Sequence, residues 1–402
     1  MLVDTLGSGL VVPFELLFGT QLVGLSLAET GIGLSMGTGL GIAVGPIAGA
    51  LVDRFGPMRL VVAANALSVA GCIGLLVIHG FVEFTVVAFL FAAGARTFWA
   101  AYAPLVAAFV ESVDLETWFG RFRGVRYAGL AAGSAAASFA LLAGRETGLR
   151  LVLVGDGLSY ATAIGMYVAA GYQRRVTGVP DSSARIAGPT SGYHEAIRDP
   201  ANIAIVALNV AATLVIIVPL LALPIFVLDQ LGLPPWVPGV LVAVGTIAVA
   251  IPTFFAGPLT RGRSRLRLLA TAAAMWAAGG LLMVAGAALP GIALAILPTG
   301  MILLGVGEAV YAPTADALPI ALAPVDLAGR YTALHQLAWG ISGTIAPLLT
   351  AWLLTLGTIA VWVAVSVAAA LAAAAYLWLD PRVGPRAGIA GSPSETERVV
   401  GN

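Results

Sequence analysis

Residues 31–59 read GIGLSMGTGLGIAVGPIAGALVDRFGPMR. Gly33, Gly37, Gly41, Gly45 and Gly49 stand four apart in this stretch. On a helix that spacing lines one face with hydrogen atoms, so a neighbouring helix can approach backbone to backbone. The chain's 49 glycines would scatter by chance but would not align five of them. The face runs into a charged turn, Asp53-Arg54-Phe55-Gly56, and Arg59 opens the next apolar run. The sequence therefore predicts a close-packing apolar helix that ends in a charged hinge.

The surroundings of this stretch set its solvent. Of 402 residues, 59% are hydrophobic and 10% charged, with a mean hydropathy of +0.98. A soluble domain carries roughly a quarter charged residues, so a water-facing surface is excluded. Apolar runs long enough for about 30 Å of hydrocarbon follow one another almost without pause. Only helices satisfy the backbone within each such segment, which predicts an all-α, multi-pass membrane protein. Zero net charge argues against a nucleic-acid partner. The lone cysteine, Cys72, lies in an apolar run, which excludes disulfides and Cys-based metal sites. The first run lacks a basic leader and contains Asp4 and Glu15, so it does not read as a cleavable signal. It opens almost at Met1, which leaves room for a start upstream.

Apolar runs between polar breaks give twelve expected spans, near 3–26, 31–52, 59–79, 83–109, 125–145, 150–171, 201–228, 236–257, 267–289, 293–321, 331–355 and 358–379. The longest polar segment divides them, giving a six-helix bundle over 1–172, a central loop over 173–200 and a second six-helix bundle over 201–380. Residues 381–402, rich in Gly, Pro and Ser, are expected to be a disordered tail. Arg54, Arg59, Arg121, Arg123, the central segment, Arg261 to Arg267, Arg330 and the tail fall on one side of the spans. Arg145 and Arg150 fall on the other. The positive-inside rule then places both termini in the cytoplasm, with the protein in the cell membrane.

The halves repeat one another. Tyr102-Ala103-Pro104 matches Tyr311-Ala312-Pro313, and Gly120-Arg121-Phe122 matches Gly329-Arg330-Tyr331, both at an offset of 209. Arg59 and Gly49 match Arg267 and Gly257 at 208. A duplicated six-helix half is how many secondary transporters are built, with the binding site near the midplane.

With the hinge in that setting, Gly49-Ala50-Leu51-Val52-Asp53-Arg54-Phe55-Gly56-Pro57-Met58-Arg59 resembles the signature loop of the major facilitator superfamily. It departs from the pattern at Met58, where many members carry a second basic residue. The first-span run Asp4 to Pro13 is similar to the drug:proton antiporter branch, as is the intramembrane Arg96, although the residues that usually follow that arginine are absent. The fifth span has Gly129, Gly133 and Ser134 and lacks the branch's Gly-Pro pair. The resemblance implies a twelve-helix fold in two pseudo-symmetric bundles, with spans one, four, seven and ten lining a cavity. It also implies a gate at the hinge, in which Asp53 caps the N-terminus of span eleven. Gly49, Arg54, Gly56 and Arg59 belong to that gate, with Glu111, Asp114 or Glu116 as partners for the arginines. The glycine face of span two is expected to work against Gly340 and Gly343 of span eleven.

Each of the four cavity spans carries one polar residue well inside, namely Glu15, Arg96, Asn209 and Glu308. An ionisable group at the bilayer centre costs about 2.5–3.5 kcal/mol on insertion scales and calls for a pairing or functional reason. These four, with Asp4, are the candidate substrate- and proton-binding residues. On a straight helix Asp4 and Glu15 share a face about 16 Å apart. Asp156 reads as interfacial or structural, and His335 as a packing residue.

The function these features predict is secondary active transport by alternating access: proton-coupled efflux of small lipophilic molecules. An importer or facilitator of a small metabolite is the alternative, and a non-transporting membrane sensor is the reading from another class. No HExxH, GxSxG or P-loop lysine is present, so neither an enzyme nor an ATP-driven pump is expected. The expected partners are a small-molecule substrate, protons and the bilayer, with the protein monomeric and without cofactor or metal.

Overall fold

The computed structural model describes residues 2–107, 115–176, 193–260, 262–324, 327–357 and 359–387. Twelve helical segments correspond in order to the expected spans. They are α1 (Leu2–Val23), α2 (Leu27–Ile42 with Val44–Phe55), α3 (Pro57–Val77), α4 (Phe81–Ala107), α5 (Leu115–Ala140) and α6 (Arg145–Val176), followed by α7 (Pro200–Gln230), α8 (Val237–Thr260), α9 (Arg265–Ala288), α10 (Ala293–Leu322), α11 (Ala328–Thr355) and α12 (Ala360–Ala387). Ten are long and apolar enough to cross a membrane by themselves, and α2, bent by 41° at Ala43, makes an eleventh when its two pieces are taken as one span. In α8 the apolar stretch is the shorter Val237–Thr253. Large apolar side chains such as Leu40, Ile73, Val82, Leu158 and Leu371 point outward along these helices, as hydrocarbon solvent requires.

Local sequence sets the ends. Ser26 opens α2 with a capping box: its hydroxyl accepts from the Glu29 amide, and the Glu29 carboxylate accepts from the Ser26 amide. Gly56 joins α2 to α3 at φ +83°, a conformation that side chains rarely adopt, and Pro57 starts α3 where its missing N–H does no harm.

The repeat extends to the backbone. The last turns of α1 widen into a π-helix over Phe18–Val23, and those of α7 over Phe226–Gln230, starting 208 residues apart. Gly24 and Gly232, at the same offset, close them with positive φ. Among the short sequence matches at 208 and 209, nothing announced this shared irregularity.

The described chain packs as two compact units. The first comprises Met1–Ala187, Leu221–Ala243 and Pro347–Trp352, and the second Gly188–Leu220, Val244–Ala346 and Leu353–Asn402. In the first, α1 packs on α5 and α6, α2 on α4, and α3 on α4 and α6. In the second, α9 packs on α10 and α12.

Three expectations need correction. The glycine face of α2 packs mainly on α4: a methyl group on Gly37 would lie 2.6 Å from the Ala88 Cβ, and one on Gly41 2.6 Å from the Ala92 Cβ. Gly31 alone of this run meets span eleven, at Ala351, while methyl groups on Gly45, Gly49 and Gly343 would meet nothing within 4 Å. Secondly, α12 continues to Ala387, seven residues into the expected tail, because ion pairs described below hold its last turns. Residues 388–402 lie outside the described set. Thirdly, α1 is not a straight helix between Asp4 and Glu15: a 3-10 turn over Val12–Phe14 interrupts it at Pro13. Asp156, read as interfacial or structural, is fully buried.

Candidate functional site

In the first unit, Glu15 stands between the 3-10 turn and the π-turn of α1, the most irregular backbone of that helix. Phe14, Leu16, Leu17 and Phe18 beside it are each at most 2% exposed. Its half-buried carboxyl has no hydrogen-bond or ion-pair partner among the described residues. Arg96, half-buried on α4 beside the buried Ala92, Ala93 and Thr97, likewise has none. Glu15 and Arg96 therefore form no ion pair with each other. Phe98, Trp99 and Tyr102 gather next to Arg96, with the Phe98 and Tyr102 rings stacked 6.0 Å apart. Arg126 of α5 lies over the Trp99 ring at 4.9 Å.

The break in α1 is supported from α5. Proline at 13 cannot donate to the Gly9 carbonyl, and the Ser134 hydroxyl donates to that oxygen at 2.9 Å. Gly129 and Gly133 make the approach possible: a methyl on Gly133 would overlap the Leu6 carbonyl oxygen, and one on Gly129 the Thr5 hydroxyl. The fifth-span glycines thus hold α1 in the shape that presents Glu15.

Asp4 is brought not to Glu15 but to a buried group on α6. Asp156 lies within its electrostatic range and accepts a hydrogen bond from Cys72 of α3 at 3.5 Å, while the Ser159 hydroxyl, 3.5 Å from the carboxyl, donates to the Asp156 backbone carbonyl at 2.8 Å. A methyl on Gly7 would overlap both Ser159 and Asp156.

In the second unit, Asn209 is 1% exposed and its amide is engaged at both ends. Its Nδ2 donates to the His335 carbonyl at 2.9 Å, and the Tyr311 hydroxyl donates to its Oδ1. Tyr311 also bonds Tyr376 of α12 and stands 4.9 Å from the Trp276 ring. His335 is buried, its Nδ1 without a hydrogen bond among the described residues, and Asp316 lies within electrostatic range of it and of Tyr311. Glu308 is half-buried on α10.

The hinge residues Asp53, Arg54 and Arg59 are exposed, with Arg54 5.1 Å from the Phe55 ring centroid. Glu111, Asp114 and the side chain of Glu116 lie outside the described residues. Met58, the departure from the signature loop, packs on the cluster of Val52, Leu60, Val61, Ala101 and Leu105.

Ion pairs gather beyond the ends of the spans. Arg145 bonds Asp229 and the Leu228 carbonyl, and Arg150 bonds Glu146, so both arginines of the sparsely basic side are neutralised locally. In the second unit Arg386 pairs with Asp199 at 2.6 Å, the Tyr331 hydroxyl donates to the same carboxylate at 2.8 Å, and the Ala201 amide adds a third bond. Partial burial pushes Asp199 up, but these donors outweigh it and hold the carboxyl below its ordinary value. Arg267 and Ser264 bind Asp380 in the same way.

The family model described as Major Facilitator Superfamily matches residues 1–302 and again 205–399. The chain belongs to this superfamily. The two overlapping matches span nearly the whole sequence. No curated protein matches the chain. Among solved structures, a peptide transporter POT in complex with sulfate is 16% identical over 97% of this chain and 94% of that one, with a TM-score of 0.71. The nucleoside transporter NupG is 11% identical over 94% and 98%, with a TM-score of 0.77. A POT family transporter in complex with 5-aminolevulinic acid is 12% identical over 95% and 94%, with a TM-score of 0.70. At these identities the likeness speaks of the fold alone. This member of the major facilitator superfamily is a multi-pass membrane transporter and not an enzyme.

Sequence reasoning missed two structural features of this superfamily member. Ser134 was noted in the fifth span, and pairing it with the carbonyl freed by Pro13 needed the α1–α5 contact. Asp156 had a signal available, an acid six residues into the expected sixth span, and the sequence alone left it open between an interfacial and a structural place.

Proposed function

We propose that this superfamily member is a proton-coupled secondary transporter that exports small, partly lipophilic molecules by alternating access. The observation that carries the reading is Glu15, a carboxyl inside α1 with no partner among the described residues. A carboxyl in hydrocarbon is favoured in its neutral form, so an unpartnered one is suited to take up and release a proton. Arg96 keeps its proton and supplies a fixed positive charge that a substrate or carboxylate can answer. Glu308 is the corresponding acid of α10. Asn209, with both ends of its amide engaged, serves as structural support in this reading. The aromatic surface of Phe98, Trp99 and Tyr102 suits an apolar ligand. The hinge of Gly49, Asp53, Arg54, Gly56 and Arg59 is the gate, and the arginine distribution supports cytoplasmic termini.

Proteoliposomes with an imposed pH gradient test the reading. Wild-type protein is expected to move a lipophilic cation or dye in response to the gradient, and Glu15→Gln to lose that response. Asp53→Asn in the same vesicles is expected to slow transport while inserting normally. Transport indifferent to the gradient in wild type and Glu15→Gln alike would refute proton coupling.

A further inference from the structure

The turn between α8 and α9 carries Arg261, Arg263, Arg265 and Arg267, and the sequence holds no acid between Asp229 and Glu308. Here the second unit opens a cavity of 250 Å³ lined by Gly262, Arg263, Ser264, Arg267, Leu268 and Thr271. Asp380 of α12 braces its wall, accepting from the Ser264 hydroxyl on one oxygen and from the Arg267 Nε at 2.7 Å on the other. That contact uses one edge of the Arg267 guanidinium. The side chain stays 73% exposed, and its two terminal nitrogens make no bond among the described residues. Arg263 is exposed and has no hydrogen-bond or ion-pair partner among the described residues. Two guanidinium groups therefore line one cavity, and Asp380 answers one of them. The depth of the cavity is marked on α12. Trp378, two residues before Asp380, is 60% exposed, and the Arg382 guanidinium lies 3.9 Å from its ring centroid. An outward tryptophan under a snorkelling arginine marks the level where hydrocarbon gives way to headgroups. From Arg267 along α9, Thr271, Ala274, Ala278 and Leu281 follow at steps of three and four, all of them exposed. That spacing makes one outward face, shallow at its alanines, that leads from the cavity into the hydrocarbon.

We propose that this cavity binds the headgroup phosphate of an acidic phospholipid, with one acyl chain laid along the Thr271–Leu281 face of α9. The planar fork of a guanidinium matches two phosphate oxygens at once, and Arg263 and the free edge of Arg267 offer two such forks. Basic pockets at the ends of spans attract anionic headgroups in this way. A zwitterionic lipid brings its own cation, which the arginines repel. A free phosphate would meet the same arginines, but it would make no use of the face that continues from them into the hydrocarbon. That continuity favours a phosphate carried on a lipid. The site uses none of the residues assigned above to substrate, proton or gate, so it stands whatever the direction or coupling of transport.

Thermal unfolding of the full-length protein in detergent, titrated with dioleoylphosphatidylglycerol, tests the site. The expected result is a saturable rise of the midpoint that dioleoylphosphatidylcholine and inorganic phosphate, each at the same concentration, do not produce. Arg263→Gln is expected to raise the half-saturating lipid concentration about fivefold, the share of one arginine near an anionic headgroup. It should leave the midpoint in lipid-free detergent unchanged, since Arg263 bonds no described residue. Arg150→Gln removes the same charge from the sparsely basic side and should leave the titration as it is in the wild type. A phosphatidylglycerol with a photoactivatable group on its acyl chain should label the wild type between residues 262 and 281, read by peptide mass spectrometry, which locates the site even if Arg263→Gln does not fold. The absence of a rise with phosphatidylglycerol, or an equal rise with phosphatidylcholine, would overturn the proposal. An equal rise with inorganic phosphate would replace the lipid by a free anion and overturn it as well. So would equal weakening by Arg263→Gln and Arg150→Gln, or label that avoids residues 262–281.

Discussion

Replacing Gly37 and Gly49 by alanine should move the stability of the protein in different ways, although both glycines lie on α2 and belong to the same sequence pattern. Each replacement relieves a helical glycine, which favours the folded helix by about 1 kcal/mol. Because that gain is common to both sites, it cancels in their difference. What remains is space. A methyl on Gly37 would sit 2.6 Å from the Ala88 Cβ, 2.7 Å from the Phe89 amide nitrogen and 2.8 Å from the Ala88 carbonyl carbon, and two of these are backbone atoms that cannot swing aside. Overpacking of this kind costs about 1–3 kcal/mol. A methyl on Gly49 would meet nothing within 4 Å. Gly37→Ala should therefore be less stable than Gly49→Ala by about 1–3 kcal/mol. Gly41→Ala should fall between them, since its close neighbour is a single methyl at 2.6 Å and the next atom lies at 3.4 Å. Thermal unfolding of the three variants in one detergent, followed by tryptophan fluorescence, gives the order. A Gly37→Ala midpoint at or above that of Gly49→Ala would show that the α2–α4 contact does not set the glycine at this position.

Two further predictions concern single hydrogen bonds. Ser134→Ala should destabilise the protein by about 1 kcal/mol, a typical interhelical hydrogen bond in a membrane, and speed amide exchange around Pro13. In a Pro13→Ala background the same change should cost less, because an amide at 13 can bond the Gly9 carbonyl within the helix, and equal costs in both backgrounds would reject the pairing. The Asp199–Arg386–Tyr331 clamp should depend on pH in a defined direction. Its carboxyl is held below the ordinary value near 3.9, so its contribution is complete above that value and is lost as the pH falls through the lowered folded one. Amide exchange in the last turn of α12, taken relative to the intrinsic rate at each pH, should stay slow from neutral pH to about 4 and quicken below. Asp199→Asn should quicken it at neutral pH by an amount equivalent to about 1 kcal/mol, as expected for a partly exposed pair.

The fold was legible because its signals are long. Twelve apolar runs, a one-sided distribution of arginines and matches at 208 and 209 each draw on many residues, and no local contact can override them. What failed to show were partners. The stripe from Gly33 to Gly49 specified that something must come close, and its first part found α4 and not span eleven, because spacing fixes a face and not a neighbour. The tail misled for the same reason: Asp380, Pro381 and Gly384 favour disorder by composition, and ion pairs to Arg267 and Asp199, over a hundred residues away, keep the helix intact. Pro13 read as part of a family pattern, and its structural consequence became visible only beside Ser134.

The two halves repeat their backbone irregularities but not their chemistry. Both α1 and α7 end in π-turns closed by a left-handed glycine, which widens the helix at corresponding places. Before the widening, α1 carries Glu15 without a partner among the described residues, whereas α7 carries Asn209 with its amide fully bonded. Tyr102 and Tyr311 diverge in the same sense: the first stacks among aromatic rings, and the second is spent on Asn209 and Tyr376. In corresponding helices of one duplicated scaffold, then, stand an acid without a partner among the described residues in α1 and an amide bonded at both ends in α7. In the proton-coupled reading proposed above, the proton chemistry is assigned first to Glu15, and substitutions in the network around Asn209 should then change stability before they change coupling.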